Sequence, residues 1–152
     1  MYEMVMQPAI QERLRNDIRE GLKETKGEVT YDLVMNEMPY LNNIVNEILR
    51  MYPVLALFDR KCEMTDGSDG YSLEPYGDFK IPNGMPVMFP AYAMSYDEKL
   101  FPNPKHFDPE RFSPENKENI ISGSYFPFGL GPHVCIGERF AMMQVKVREN
   151  SK

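Results

Sequence analysis

Apolar residues recur at helical spacing near both ends of the chain and fall into short runs in its middle. From Pro8, the residues Ile10, Leu14, Ile18 and Leu22 repeat every four positions and place one apolar face on a helix, with Gln11, Arg15 and Arg19 elsewhere on the cylinder. Residues Met1 to Leu22 therefore read as helical. Pro8 opens a second helix within them, because a first-turn residue has no use for its N–H. Polar residues from Lys23 to Gly27 end this element, and Thr30 caps a short helix running to about Asn36. Pro39 starts the most periodic segment, in which Leu41, Ile44, Val45, Ile48, Leu49 and Tyr52 form a 3.6-residue stripe that Pro53 stops. Val54 to Phe58 is short and apolar and reads as a strand. Tyr76–Ile81 and Met85–Phe89 flank Pro82-Asn83-Gly84 and read as a β-hairpin. A short helix is expected within Ala91–Leu100. From Phe101 to Phe126 prolines punctuate the chain and no period is sustained, and a last helix follows Cys135. The fold class is mainly α with small β-sheets, and no internal repeat or linker divides the chain.

Composition narrows the function classes. At 152 residues the chain is long enough for one domain with a modest core, or for a piece of one. A net charge of −6 argues against nucleic acid as a partner, since phosphate binding needs clustered Lys and Arg. No apolar run approaches the ~18 residues of a membrane span. The two cysteines, Cys62 and Cys135, do not make a disulfide scaffold, and a reducing compartment is the better expectation. With His106 and His133 they give a four-ligand count for zinc, but their spacings match no familiar finger.

Cys135 lies in the run Phe128-Gly129-Leu130-Gly131-Pro132-His133-Val134-Cys135-Ile136-Gly137, directly before the last helix. A sulfur held in a stiff turn at a helix N-terminus is favoured as thiolate by the dipole and the free N–H groups, and a thiolate can serve as an axial ligand to haem iron. Gly131 and Gly137 allow positive φ and close approach of backbone to a flat ring. Phe128 is placed to shield the sulfur from water. The plainer alternative is a buried structural cysteine, and for Cys62, which has no glycine-rich context, that alternative is the expectation. Two further sets stand out. Glu47 and Arg50, three apart on the Pro39 helix, can pair, and projection sets both off the apolar stripe, as an exposed ion pair would be. Arg111, in Phe107-Asp108-Pro109-Glu110-Arg111-Phe112, sits in a proline-flanked, aromatic-bracketed stretch and offers a rigid fork of donors.

Taken in order, ExxR, PERF and the cysteine loop resemble the cytochrome P-450 family over essentially the whole chain. The wording around them is most similar to microsomal insect detoxification enzymes. The resemblance implies a haem cofactor ligated by Cys135 and a lock of Glu47, Arg50 and Arg111 behind it. It also implies Arg60 and the residue at His133 against the haem propionates, with Phe128, Gly131 and Gly137 around the ring. The family usually has arginine where this chain has His133. Histidine is shorter and charged only when protonated, so haem is expected to be held less firmly, and more loosely as pH rises, unless Arg60 carries the charge.

What the resemblance implies for the whole is a haem-thiolate monooxygenase acting on a lipophilic substrate, which Val54–Phe58 would touch, with electrons from an NADPH-cytochrome reductase flavoprotein. Localisation at the endoplasmic reticulum membrane, through an N-terminal anchor outside this segment, is implied in the same way. No segment resembles the family's oxygen-activating helix, so residues 1–152 are expected to be the C-terminal part of a single domain. That leaves an alternative: a haem-binding module, or an inactive truncated product, without turnover. As a piece, the chain is expected to expose apolar faces such as the Ile10–Leu22 stripe and to be poorly soluble.

Overall fold

Prolines set where the helices begin. In the computed structural model, which describes residues 2–150 (the side chains of 148–150 excepted), α1 (Tyr2–Met6) is followed at once by α2 (Pro8–Glu24), with Pro8 in the first turn. Thr30 caps α3 (Tyr31–Asn36) by accepting from the Leu33 N–H at 3.2 Å. Pro39 opens α4 (Pro39–Met51), whose last donor, the Tyr52 N–H, reaches Ile48 O at 2.8 Å one residue before Pro53. The reading of Met1 and of the chain's last two residues lies outside the described part.

The core is built around α4. Tyr40, Leu41, Ile44, Val45 and Met51 are buried there, with Leu33, Met38 and Phe107 packed beside them. The face of α2 made by Ile10, Leu14, Ile18 and Leu22 lies on this core, with Leu14 buried and the others partly so. The expectation that this stripe would be bare is therefore corrected: α4 supplies the apolar surface it needs. The exposed apolar residues are elsewhere, at Val54, Leu55 and Leu57 and along Leu130, Val134, Ile136 and Phe140. Arg13 of α2 stacks over the Tyr40 ring at 3.8 Å and pairs with Glu110, tying α2 to the proline-rich stretch.

The strands depart from expectation in two ways. Val54–Leu57 is not strand; the strand begins at Phe58, as β1 (Phe58–Lys61), because that is where a partner lies opposite. Nor do the segments either side of Pro82-Asn83-Gly84 pair with each other. β2 (Gly70–Ser72) pairs antiparallel with β3 (Lys80–Pro82), and β1 pairs antiparallel with β4 (Pro86–Phe89). Pro82 and Pro86 have no N–H to give to a ladder between them, and the groups at the corner go elsewhere. Asn83 N–H donates to Asp69 O at 2.8 Å and Gly84 N–H to Cys62 O at 2.7 Å. Gly84 takes φ 85°, which suits the corner.

Beyond the sheets come α5 (Ala91–Ser95), shorter than the Ala91–Leu100 window, and 3-10 turns at Pro109–Phe112, Lys117–Asn119 and Gly131–His133. The final helix, α6 (Glu138–Asn150), packs against α3 and α4. Lys146 of α6 is buried, and its Nζ donates to Met35 O at 3.4 Å. Burial pushes this amine below its ordinary value. A lysine with a depressed pKa weakens the fold while it stays charged, and the penalty fades as pH rises through the folded value towards 10.5. Lys146→Met keeps the stem and removes the charge. It is expected to stabilise the chain by about 1–2 kcal/mol in denaturant titrations near neutral pH, with the gain shrinking at alkaline pH.

Candidate functional site

The cysteine loop is a closed turn with its sulfur outward. Gly129 N–H donates to Phe126 O at 3.0 Å, and Cys135 N–H donates to Phe128 O at 2.8 Å, so the loop returns on itself just before α6. Glu138 N–H, at the start of α6, donates to Cys135 O at 3.3 Å, which confirms the placement of the cysteine at a helix N-terminus. The Cys135 side chain is exposed and free. Phe128 is joined to Cys135 by this backbone bond, and the Phe128 side chain is half-buried. Gly131 has φ 76°, as expected, but Gly137 does not take a positive φ, and the second left-handed glycine of the loop is Gly129, at φ 84°. Gly137 matters for space instead. A Cβ there would stand 3.8 Å from Cys135 Sγ, against the sulfur. His133 is exposed at the end of its 3-10 turn.

Behind the loop lies a buried ion set. Arg50 donates from Nε to Glu47 Oε2 at 2.7 Å and from Nη2 to Glu47 Oε1 at 2.9 Å, a bidentate pair in which both side chains are 0% exposed. Two further Arg50 donors are used as well: Nη1 reaches Ser95 O at 2.7 Å and Nη2 reaches Pro104 O at 2.8 Å. Glu47 Oε1 also accepts the Asp108 N–H at 3.0 Å. Arg111 Nε lies 3.6 Å from Glu47 Oε1, close enough for charge attraction but without a hydrogen bond. The exposed-pair reading of Glu47 and Arg50 is thus corrected. α4 is covered on that side too, by α5 and the Pro109–Phe112 turn, so its polar side faces protein rather than water. The three residues implied by the resemblance are brought together by α4 and that one turn.

An open cleft of about 390 Å³ lies beside the cysteine loop, lined by Phe58 and Arg60 of β1, Phe89 of β4, Phe126, Gly129 and Leu130 among others. It is largely apolar, with a single cation. Arg60 is half-buried, donates from Nη1 to Asp59 O at 2.7 Å, and has its Nη2 3.7 Å from where a Cβ on Gly129 would sit. An alanine at Gly129 would be strained by its φ of 84°, while its Cβ would sit in ordinary contact with His133 O, Arg60 and Phe58. An apolar slot with one guanidinium at its wall, bordered by Gly129 and Leu130 of the cysteine loop, suits a flat, lipophilic ring that carries carboxylates, and haem is such a ring. Cys62, by contrast, follows β1 half-buried, with Sγ 3.6 Å from Ile81 O.

Several contacts of this region have no clear sequence signal. Asn43, with its amide oriented to satisfy both ends, donates to Phe112 O at 2.9 Å and Pro39 O at 3.2 Å. Phe126 packs edge-on against Phe58, with ring centroids 5.3 Å apart. Tyr125 sends its hydroxyl to Asn46. Gly129 is the exception, because a glycine in a Gly/Pro-rich turn is a visible cue for positive φ.

The family model described as Cytochrome P450 matches residues 1–148. Among curated proteins, the chain is 47% identical over 148 residues to a probable cytochrome P450 6g2 of Drosophila melanogaster, covering 97% of this chain and 28% of that protein. It is 43% identical over 147 residues to a probable cytochrome P450 6t3 of the same fly, covering 97% of this chain and 29% of that one. A cytochrome P450 9e2 of Blattella germanica is 44% identical over 140 residues, or 92% of this chain and 25% of its own length. The chain therefore spans little more than a quarter of the length of these relatives. A match over nearly all its residues, agreeing with a cysteine loop backed by a buried Glu–Arg pair, places the chain in the cytochrome P450 family.

Proposed function

We propose that the chain is the sulfur-bearing part of a haem-thiolate monooxygenase that acts on lipophilic substrates. The observation that carries this reading is the exposed Cys135 thiol, aimed outward from a closed loop whose own residues Gly129 and Leu130 line the apolar cleft with Arg60. Cys135 would hold the iron, and Gly137 keeps the sulfur uncovered. Gly131 shapes the turn and Phe128 closes it. Arg60 and His133 supply donors for the ring carboxylates, and Glu47, Arg50 and Arg111 hold the polypeptide behind the loop. Haem bound through a thiolate supplies activation of O2, with one oxygen atom entering a substrate C–H bond and the other leaving as water on uptake of two electrons and two protons. The protein's part is to hold the sulfur in place at the start of α6.

The electron donor that fits is an NADPH-cytochrome reductase flavoprotein, and the exposed apolar run Val54, Leu55 and Leu57 suits contact with a lipophilic substrate. Among the described residues no helix is long and apolar enough to cross a membrane, so residence at the endoplasmic reticulum would depend on an anchor outside them. The test is to load the protein with haem, reduce it and add carbon monoxide. The red-shifted absorption that marks thiolate ligation is expected. Haem uptake without that band would remove the thiolate reading, and no uptake at all would remove the haem reading.

A further inference from the structure

We propose that Tyr125 is a positioning residue for the cysteine loop, fastening its leading end to α4 beside the buried Glu47–Arg50 pair. The inference rests on the reading of Cys135 as haem ligand. Tyr125 stands where the chain leaves the Pro-punctuated stretch and enters the loop. Its hydroxyl donates to Asn46 O at 3.0 Å and lies 3.2 Å from Asn46 Oδ1, one residue before Glu47. Its ring packs on Phe112, next to Arg111, with centroids 4.7 Å apart and planes at 55°. One side chain, three residues ahead of Phe128, therefore touches α4 and the Pro109–Phe112 turn, two of the places that carry the ordered motifs, and its backbone leads into the third.

Beyond its own backbone closures, few contacts among the described residues fasten the loop to the rest of the chain. Leu130, Val134, Cys135 and Ile136 are exposed. Ahead of Phe128 the loop is tied down by the Tyr125 hydroxyl and by the edge-on contact of Phe126 with Phe58, and behind Cys135 by the packing of α6. Burial, then the nearby Glu47 charge, raises the Tyr125 pKa, with Arg50 opposing. The hydroxyl therefore keeps its proton and remains a donor. Loss of that donor loosens the leading end of the loop, and the sulfur is then free to leave the orientation that a metal bond requires.

The experiment compares three variants of the haem-loaded, full-length holoprotein by the reduced carbon monoxide spectrum followed over time. Tyr125→Phe keeps the ring and removes the hydroxyl. It is expected to hasten conversion from the thiolate form to the form without it by about fivefold, the worth of one net buried hydrogen bond. Tyr96→Phe is the structural comparison, since Tyr96 also donates from a partly buried hydroxyl to the backbone of α4's far end, at Met51 O and 3.0 Å. It is expected to lower the melting temperature by a similar amount without hastening the conversion. Equal conversion rates in the two variants, or a Tyr125→Phe rate equal to that of the unaltered protein, would overturn the assignment. Cys135→Ser separates the two layers. If it abolishes the thiolate signature while Tyr125→Phe changes nothing, only the positioning role falls; if the signature survives it, the ligand assignment falls and takes the positioning role with it.

Discussion

Changing Cys135 to serine removes the red-shifted band of the reduced carbon monoxide complex altogether and weakens haem retention by about a hundredfold or more. Changes to groups that merely support a metal ligand already cost roughly 10–100-fold, and this one removes the ligand itself. The size of the effect follows from chemistry rather than folding. Serine fits the same backbone, the Cys135 N–H bond to Phe128 O does not involve the side chain, and the side chain is exposed. The chain is therefore expected to unfold within about 0.5 kcal/mol of the unaltered protein. A serine hydroxyl is a poor ligand for haem iron, whereas a cysteine sulfur binds it as the thiolate. The measurement is a haem-transfer assay run beside a denaturant melt. A serine variant with both band and retention intact would mean that the iron is held by another group, and the proposed function would fail with it.

Removing Glu47 has the largest effect on the fold. Glu47→Ala leaves Arg50 in a fully buried place with two of its donors unanswered, deprives Arg111 of its nearest counter-charge and frees the Asp108 N–H. Breaking one side of such a set costs about 3–5 kcal/mol, because a buried charge is left without compensation. For a chain of this size that is a fall of roughly 6–20 °C in melting temperature. Glu47→Gln, which can still accept from Arg50, is expected to lie between the alanine variant and the unaltered protein. Equilibrium unfolding of the three would decide it. A loss under about 1 kcal/mol in Glu47→Ala would show the pair to be no more than an incidental contact.

The helices and the cysteine loop were readable from sequence because their signals are local. Pro8, Thr30, Pro39 and Pro53 each act on their own turn, and the loop's Gly129 and Gly131 act on their own φ. The burial of Glu47 and Arg50 was not readable from helical periodicity, since a projection records polarity and not neighbours; only the family resemblance pointed to it. α4 buries its apolar stripe and its polar side alike, the second under segments sixty residues further on, as the Asp108 bond to Glu47 shows. The strands failed for a related reason. Pro82-Asn83-Gly84 does make a tight corner, with the Met85 N–H donating to Pro82 O at 3.1 Å, but which strand pairs with which is decided by β1 and β2, far back in the chain. Phe101, Phe107 and Phe112 are buried in a stretch without period, held by turns that no repeat announces.

The β1–β4 ladder encloses the β2–β3 ladder, one hairpin nested within another. The inner pair closes over the short bend 73–79 and sits between the strands of the outer pair in sequence. Phe58 and Arg60 belong to the outer pair, across the inner ladder from that bend. Extra residues inserted at the bend would cost only loop entropy, about 0.6 kcal/mol for each doubling of its length, and would leave the wall of the cleft where it is. The tip can vary in length independently of the pocket it helps to build.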